Sequence, residues 1–288
     1  MAIHRLLAAR HEGEEGIPVL IIHGWSLSGD AEAFDFEPVL STQTQTKLRR
    51  MYVDLPGMGK TPLDGAQNLD SMLLRLTEYV DETILPSRFL VIGSSCGACL
   101  ARAITHKYDG FVDGLLLRVP MVKSTTSERD LDPFKTIISD PEISLLEADK
   151  KLLEDIPIRT PEYLHAYKRK FHNVTAPAVE ASDQQALSAI RADPLRYRVA
   201  SPMHSPSDPF TKPTLIITGR QDVTVGYRDG WKLMPSYPRA TFVALDRGTH
   251  EIPVDEAENE VFSALVRNWL RCVEENRKYA PLKKAREN

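Results

Sequence analysis

Cysteine is scarce: three in 288 residues, at 96, 99 and 272, an odd count without the spacing of a metal site. No H-E-x-x-H motif and no cluster of cysteines or carboxylates points to a metal either. Long apolar runs are missing too; no window approaches the ~18 residues that would suggest a membrane span. The opening stretch, MAIHRLLAARHEGEEG, interrupts a short apolar patch with Arg10 and then with acids. It has no small-residue cleavage site, so it is not read as a secretory leader, and a cytoplasmic location is expected. Blocks of like charge are absent: 36 Lys and Arg against 40 Asp and Glu leave a net charge of −4, spread along the chain. That balance gives no electrostatic footprint for nucleic acid or an anionic membrane. A small-molecule substrate is the expected partner, and a monomer and a homodimer are both compatible with the sequence. No repeat or low-complexity segment is visible, and LKKAREN at the C-terminus reads as a solvated tail.

What the chain does have is alternation. IPVLIIHG (17–24), KLRRMYVDLPG (47–57), RFLVIG (88–93), VDGLLLRVP (112–120), KPTLIITG (212–219) and ATFVALDRG (240–248) are short aliphatic or β-branched runs closed by Gly or Pro. They read as buried strands. Helical segments separate them: one after Asn68, one from Gly97, one from Gly226 and a long one from Ala257. In the last, Val261, Phe262, Leu265, Val266, Trp269 and Val273 recur at helical spacing as an apolar face. The fold expected is α/β, with a mainly parallel central sheet flanked by helices. Between about 123 and 210 the alternation stops. That span offers no convincing strand but three helix candidates, Pro141 to Asp155, Pro161 to Asn173 and Pro177 to Arg191, each opened by a proline. The organisation expected is a core of 1–122 and 211–288 with a helical cap, or lid, inserted at 123–210.

The stretch FLVIGSSCGACLAR (89–102) contains four side chains able to attack an electrophile: Ser94, Ser95, Cys96 and Cys99. It runs from a strand into a helix through Gly93-Ser94-Ser95-Cys96-Gly97, a G-x-S-x-G pattern with Ser95 at its centre. Such a turn needs glycine two positions either side, so that strand and helix can approach, and it lifts the central hydroxyl above the sheet. It also aims the N–H of Cys96, at the helix start, at the place where an oxyanion develops. Ser94 and Cys96 would point aside and Cys99 would pack against the sheet. The C-x-x-C formed by Cys96 and Cys99 is a weak redox motif here, because the elbow already explains the helix start.

A serine hydroxyl needs a base, and the base needs an acid to hold its tautomer. Asp222 follows the strand TLIITG and His250 follows TFVALDRG, each beyond a strand's carboxyl end, in the order Ser, Asp, His. Asp246 is a rival acid, placed too close to His250 along the chain to reach round easily.

With these motifs the sequence resembles the α/β-hydrolase superfamily, and within it the lidded branch of serine hydrolases, from about residue 17 to the final helix. In HGWSLSG (23–29) the resemblance places an oxyanion loop, which makes the N–H of Trp25 the second donor beside that of Cys96 and leaves His23 structural. This loop is similar to that of cofactor-free haloperoxidases and perhydrolases, except that Ser26 stands where proline is common. DLPGMGKT ends like a phosphate loop, but Asp54 occupies the position of its first glycine; the stretch is similar instead to the family's Asp-x-Pro-Gly-x-Gly turn. His4, His11 and His106 lack strand-end context, while His165, His172 and His204 fall in the insertion.

The resemblance implies a serine hydrolase with catalytic Ser95, Asp222 and His250, without cofactor, acting through an acyl-enzyme on a small, largely apolar ester. Phe134, Tyr163, Tyr167, Phe171, Met203 and Phe210 are candidates for the pocket roof or, equally, for ordinary helical core. Thioesters, lactones, amides, peracids and C–C bonds stay open as substrates, and so does a small-molecule receptor of the same fold with slow turnover.

Overall fold

The computed structural model describes residues 6–43, 46–143, 152–153 and 156–279. Its strands are β1 (Ala9–Glu12), β2 (Ile17–Ile22), β3 (Leu48–Val53), β4 (Phe89–Ser94), β5 (Val112–Arg118), β6 (Ile138–Ser139), β7 (Ile158–Arg159), β8 (Thr214–Gly219) and β9 (Ala240–Leu245). Seven of them form one sheet in the order β1-β3-β2-β4-β5-β8-β9. All neighbours are parallel except β1, which pairs antiparallel with β3. The α/β expectation is therefore met, and the order places β4 at the centre of the sheet.

The central strands are apolar on both faces because helices cover both. β4 and β5 are buried along their whole length, and β2 is buried from Pro18 onward. The helices are α1 (Gly29–Leu40), α2 (Leu69–Thr83), α3 (Cys96–Lys107), α4 (Pro161–Lys170), α5 (Ala176–Glu180), α6 (Gln184–Ala192), α7 (Tyr227–Trp231) and α8 (Glu256–Tyr279). Ser28 caps α1 through the Ala31 N–H, and Asn68 and Ser71 close a reciprocal box at the start of α2. The last helix buries Phe262, Val266, Trp269, Leu270 and Val273.

Several local expectations are corrected. β1 and α1 were not foreseen: β1 is a short polar edge strand, and α1 mixes acids with apolar residues too evenly for a clear stripe. β9 is only partly buried, because it is the last strand of the sheet. Val261 is 46% exposed, one position off the buried face of α8. The segment from Gly226 gives a single short helix, α7.

Between β5 and β8 the insertion contains strand after all, β6 paired in parallel with β7. Two-residue strands carry too little periodicity to be read from sequence. Of the helix candidate 141–155, residues 144–151 and 154–155 lie outside the described residues, as does the C-terminal tail. The second candidate is α4, which continues through a π-helical turn (Phe171–Thr175) into α5. The third is split: α5 stops at Glu180, and Asp183 caps a new helix, α6, through the Ala186 N–H. Tyr163 sits in a small separate core with Leu153, Ile156, Ile158, Leu164 and Val254. Phe210 is buried in the main core and packs near Tyr237 and His204 instead of roofing a pocket.

Candidate active site

Ser95 follows the last residue of β4 and precedes the first residue of α3. Its backbone has φ +53° and ψ −117°, a conformation that side-chain-bearing residues rarely adopt and that is held here by close packing on both sides. A Cβ on Gly93 would lie 2.6 Å from the Ala101 side chain, and one on Gly97 would lie 2.3 Å from the His23 carbonyl and 2.4 Å from that of Ile22. Only glycine lets α3 press against β4 and the end of β2 at these two points. The Ser95 N–H donates to Arg118 O at 2.9 Å, and its carbonyl accepts from Met121 N at 3.0 Å, which ties the turn to the end of β5.

The sheet brings Ser95, His250 and Asp222 together from three separate strand ends. His250 Nε2 lies 2.9 Å from Ser95 Oγ, and His250 Nδ1 lies 2.9 Å from Asp222 Oδ2. Asp222 Oδ1 accepts from the N–H groups of Thr224 at 2.7 Å and Val225 at 3.0 Å. Burial alone would favour a neutral Asp222, but the charge and hydrogen bond of His250, with those two N–H groups, hold its carboxyl below the usual range. Burial likewise works against an imidazolium at His250; Asp222 outweighs it and raises the ring's pKa above the ordinary imidazole value. Asp246 is exposed and only its backbone carbonyl takes part nearby, accepting from Gln221 Nε2.

On the other side of Ser95 runs the loop after β2. Gly24 packs so close that a Cβ there would sit 3.3 Å from Ser95 Cβ, and Trp25 is the next residue. The loop is anchored by His23, which is fully buried: its Nε2 accepts from Leu55 N at 3.0 Å, and Nδ1 lies 2.6 Å from the Gly24 carbonyl. That pattern fits the neutral ring, and burial lowers its pKa. Cys96 opens α3, where a helix has no internal acceptors for its N–H groups. The Trp25 ring packs edge-on to Tyr197 with centroids 4.8 Å apart. Asp54 accepts from the N–H groups of Gly29 and Lys60, and a Cβ on Gly59 would meet its carboxylate at 2.4 Å, so the DLPGMGKT turn wraps a carboxylate and leaves no room for a phosphate. Cys96 and Cys99 are free and buried, and burial pushes both thiols above their usual pKa.

A cavity of about 40 Å³ adjoins Ser95 and His250, and buried ionic side chains stand among the apolar residues of its walls. None of the six aromatic and methionine candidates lines it. Glu32, Asp35, Arg118 and Lys170 do, all buried. Arg118 holds the group together: Nη2 donates to Glu32 Oε1 at 2.7 Å, Nε to Ser94 Oγ at 2.8 Å, and Nη1 to the Ile252 carbonyl at 3.0 Å and to Asp35 Oδ2. Ser94 Oγ donates to Glu32 Oε2 at 2.8 Å. Burial pushes the Glu32 carboxyl above its usual pKa, with Arg118 pulling the other way. The next residue, Val119, has φ +41°, an outlier for a β-branched side chain, and it also faces the cavity. Sequence reading passed over this cluster. Its one visible signal is an arginine that ends a buried strand directly after three leucines, which requires carboxylate partners somewhere in the fold.

A wider groove of about 540 Å³, between α1 and α5, meets this cavity at Ala31 and Val174. Among the described residues no group of three or more His, Cys, Asp or Glu side chains could hold a metal ion, and no helix is long and apolar enough to cross a membrane.

Solved structures with the same fold are numerous. An alpha/beta superfamily hydrolase from Oenococcus oeni superposes with a TM-score of 0.78 at 23% identity, covering 94% of this chain and 98% of that one. A thermophilic esterase from Thermogutta terrifontis gives 0.59 at 21% identity, with 93% of each chain covered. A meta-cleavage product hydrolase from Pseudomonas fluorescens gives 0.65 at 21% identity, covering 91% of this chain and 93% of that one. No curated protein matches the chain. A model of the alpha/beta hydrolase family matches residues 19–265, well over half the sequence, and with the sheet order and strand-end turns described above the chain belongs to that family.

Proposed function

We propose that the protein is a serine hydrolase that cleaves small carboxylic esters through an acyl-enzyme. The reading rests on one observation above the others: the unbroken chain Asp222 Oδ2, His250 Nδ1, His250 Nε2, Ser95 Oγ, with both gaps at 2.9 Å. His250 takes the Ser95 proton as the hydroxyl attacks the acyl carbon, and Asp222 stabilises the imidazolium. The N–H groups of Trp25 and Cys96 receive the oxyanion. His250 then protonates the leaving alcohol, and water, deprotonated by the same ring, releases the acid.

A chamber of about 40 Å³ has room for a few water-sized groups, which suits an acetyl or similarly short acyl chain. The leaving group then lies toward the 540 Å³ groove, and Val174 of the insertion walls both spaces. Among proteins of this fold, esterases from Thermogutta terrifontis and Exiguobacterium antarcticum are precedent for ester cleavage.

The test is labelling with a fluorophosphonate, peptide mapping, and steady-state turnover of activated acetate esters by the wild type and Ser95→Ala. The expected result is modification at Ser95, multiple turnover, and loss of nearly all of it in the folded variant. Label on Ser94 or Cys99, wild-type turnover by Ser95→Ala, or tight ester binding with negligible turnover would each overturn the proposal, the last in favour of a receptor.

A further inference from the structure

The chamber beside Ser95 is closed on one side by a lysine from the insertion. Lys170 ends α4, just before the π-helical turn, and its ammonium is buried. It donates to Asp35 Oδ2 at 2.8 Å, to the Glu251 carbonyl at 2.8 Å and to the Pro253 carbonyl at 3.0 Å. An ammonium has three donors, so all are used. Behind it, between α1 and α4, lies a half-open cavity of about 450 Å³ walled by Phe34, Ala166, Pro253 and Val254 and by the polar Glu37 and Arg169. Asp35 and Lys170 are the two residues common to the walls of both spaces. Asp35 is held in place by Arg118 as well, so the lysine side chain is the separable half of the partition.

We infer that Lys170 is the specificity-determining residue that limits acyl length: its side chain separates a short-acyl chamber from a second cavity large enough for a medium chain. An acyl group longer than the chamber must push the ammonium off three acceptors at once, leaving a buried charge and a buried carboxylate short of partners, which is costly. Shortening the side chain joins the two spaces. This rests on Ser95 being the acylated nucleophile, and it adds to that reading which residue sets the substrate's length.

The experiment measures kcat/KM for p-nitrophenyl acetate, butyrate and hexanoate with the wild type, Lys170→Ala, Lys170→Met and the double variant Lys170→Ala/Ala166→Phe. Circular dichroism and thermal melts check each fold. The wild type is expected to take hexanoate at least about tenfold less well than acetate, and Lys170→Ala to raise the hexanoate-to-acetate ratio by at least about tenfold, in the range that added methylenes contribute in a pocket. Lys170→Met keeps most of the stem but none of the three hydrogen bonds, so its ratio should fall between those of the wild type and the alanine variant, and Ala166→Phe, by filling the second cavity, cancels the gain of the alanine variant. Three outcomes overturn the inference: an unchanged ratio in folded Lys170→Ala, the same gain in Lys170→Met as in Lys170→Ala, or a wild type that takes hexanoate as readily as acetate, which needs no variant at all. A Ser95→Ala enzyme with wild-type acetate turnover would sink the hydrolase reading instead, so the two failures are distinct.

Discussion

Replacing Arg118 by Met tests whether the buried ionic cluster beside Ser95 holds the core together. Methionine fills the space of the aliphatic stem but abandons four acceptors: Glu32, Asp35, Ser94 and the Ile252 carbonyl. Asp35 keeps Lys170 at 2.8 Å, whereas Glu32 keeps only the Ser94 hydroxyl. Removing one partner of a buried pair costs about 3–5 kcal/mol. Proton uptake limits the share due to Glu32. Neutralising a carboxyl with an unfolded pKa of about 4.3 costs about 1.36 × (7.0 − 4.3) ≈ 3.7 kcal/mol at pH 7, and about 1.36 × (5.0 − 4.3) ≈ 1.0 kcal/mol at pH 5.

Burial already raises the Glu32 pKa in the wild type and Arg118 opposes it, so the variant raises it further. Above the unfolded pKa, the folded variant then holds a proton that the unfolded chain has released, and its stability falls as pH rises toward the folded pKa. Urea unfolding followed by tryptophan fluorescence at pH 5 and pH 7 reads both effects. A loss of about 3–5 kcal/mol at pH 7 that shrinks by up to about 2.7 kcal/mol at pH 5 is expected. A loss below about 1 kcal/mol at pH 7, or one equally large at both pH values, refutes the account.

Asp222→Asn is expected to lower kcat by about 10⁴ through loss of the tautomer-holding acid, and near-wild-type turnover of acetate esters would assign that role to another carboxylate. The proposed base, His250, is active as the neutral ring, so kcat/KM should rise with pH through a value above the ordinary imidazole pKa; in Asp222→Asn that acidic limb should move to lower pH, because the charge that raises His250 is gone. A pH–rate profile with the limb unmoved contradicts the pairing. Gly97→Ala puts a methyl 2.3–2.4 Å from two backbone carbonyls and should destabilise the fold by about 1–3 kcal/mol, so an unchanged melting temperature would mean that α3 is free to shift away from β2.

The fold was legible because its signals are local. Short apolar runs closed by Gly or Pro mark the central strands, and the Gly93 to Gly97 pattern marks a turn whose strain is set within five residues. Chain order and strand ends also sufficed to nominate Asp222 and His250, since parallel strands leave their carboxyl ends on one edge of the sheet. β9 and Val261 were misjudged because hydrophobicity gives a face without saying what covers it. The ionic cluster was beyond reach. Arg118 meets Asp35 and Glu32 across 83 and 86 positions, and Lys170 meets Asp35 across 135, with no periodicity linking them. The sequence by itself determined the α/β class, the sharp turn at Ser95 and the strand ends that carry its two partners. Only the tertiary structure decided the walls of the chamber, because four charges can be buried together only where packing brings opposite signs into contact and excludes the water that would otherwise solvate them.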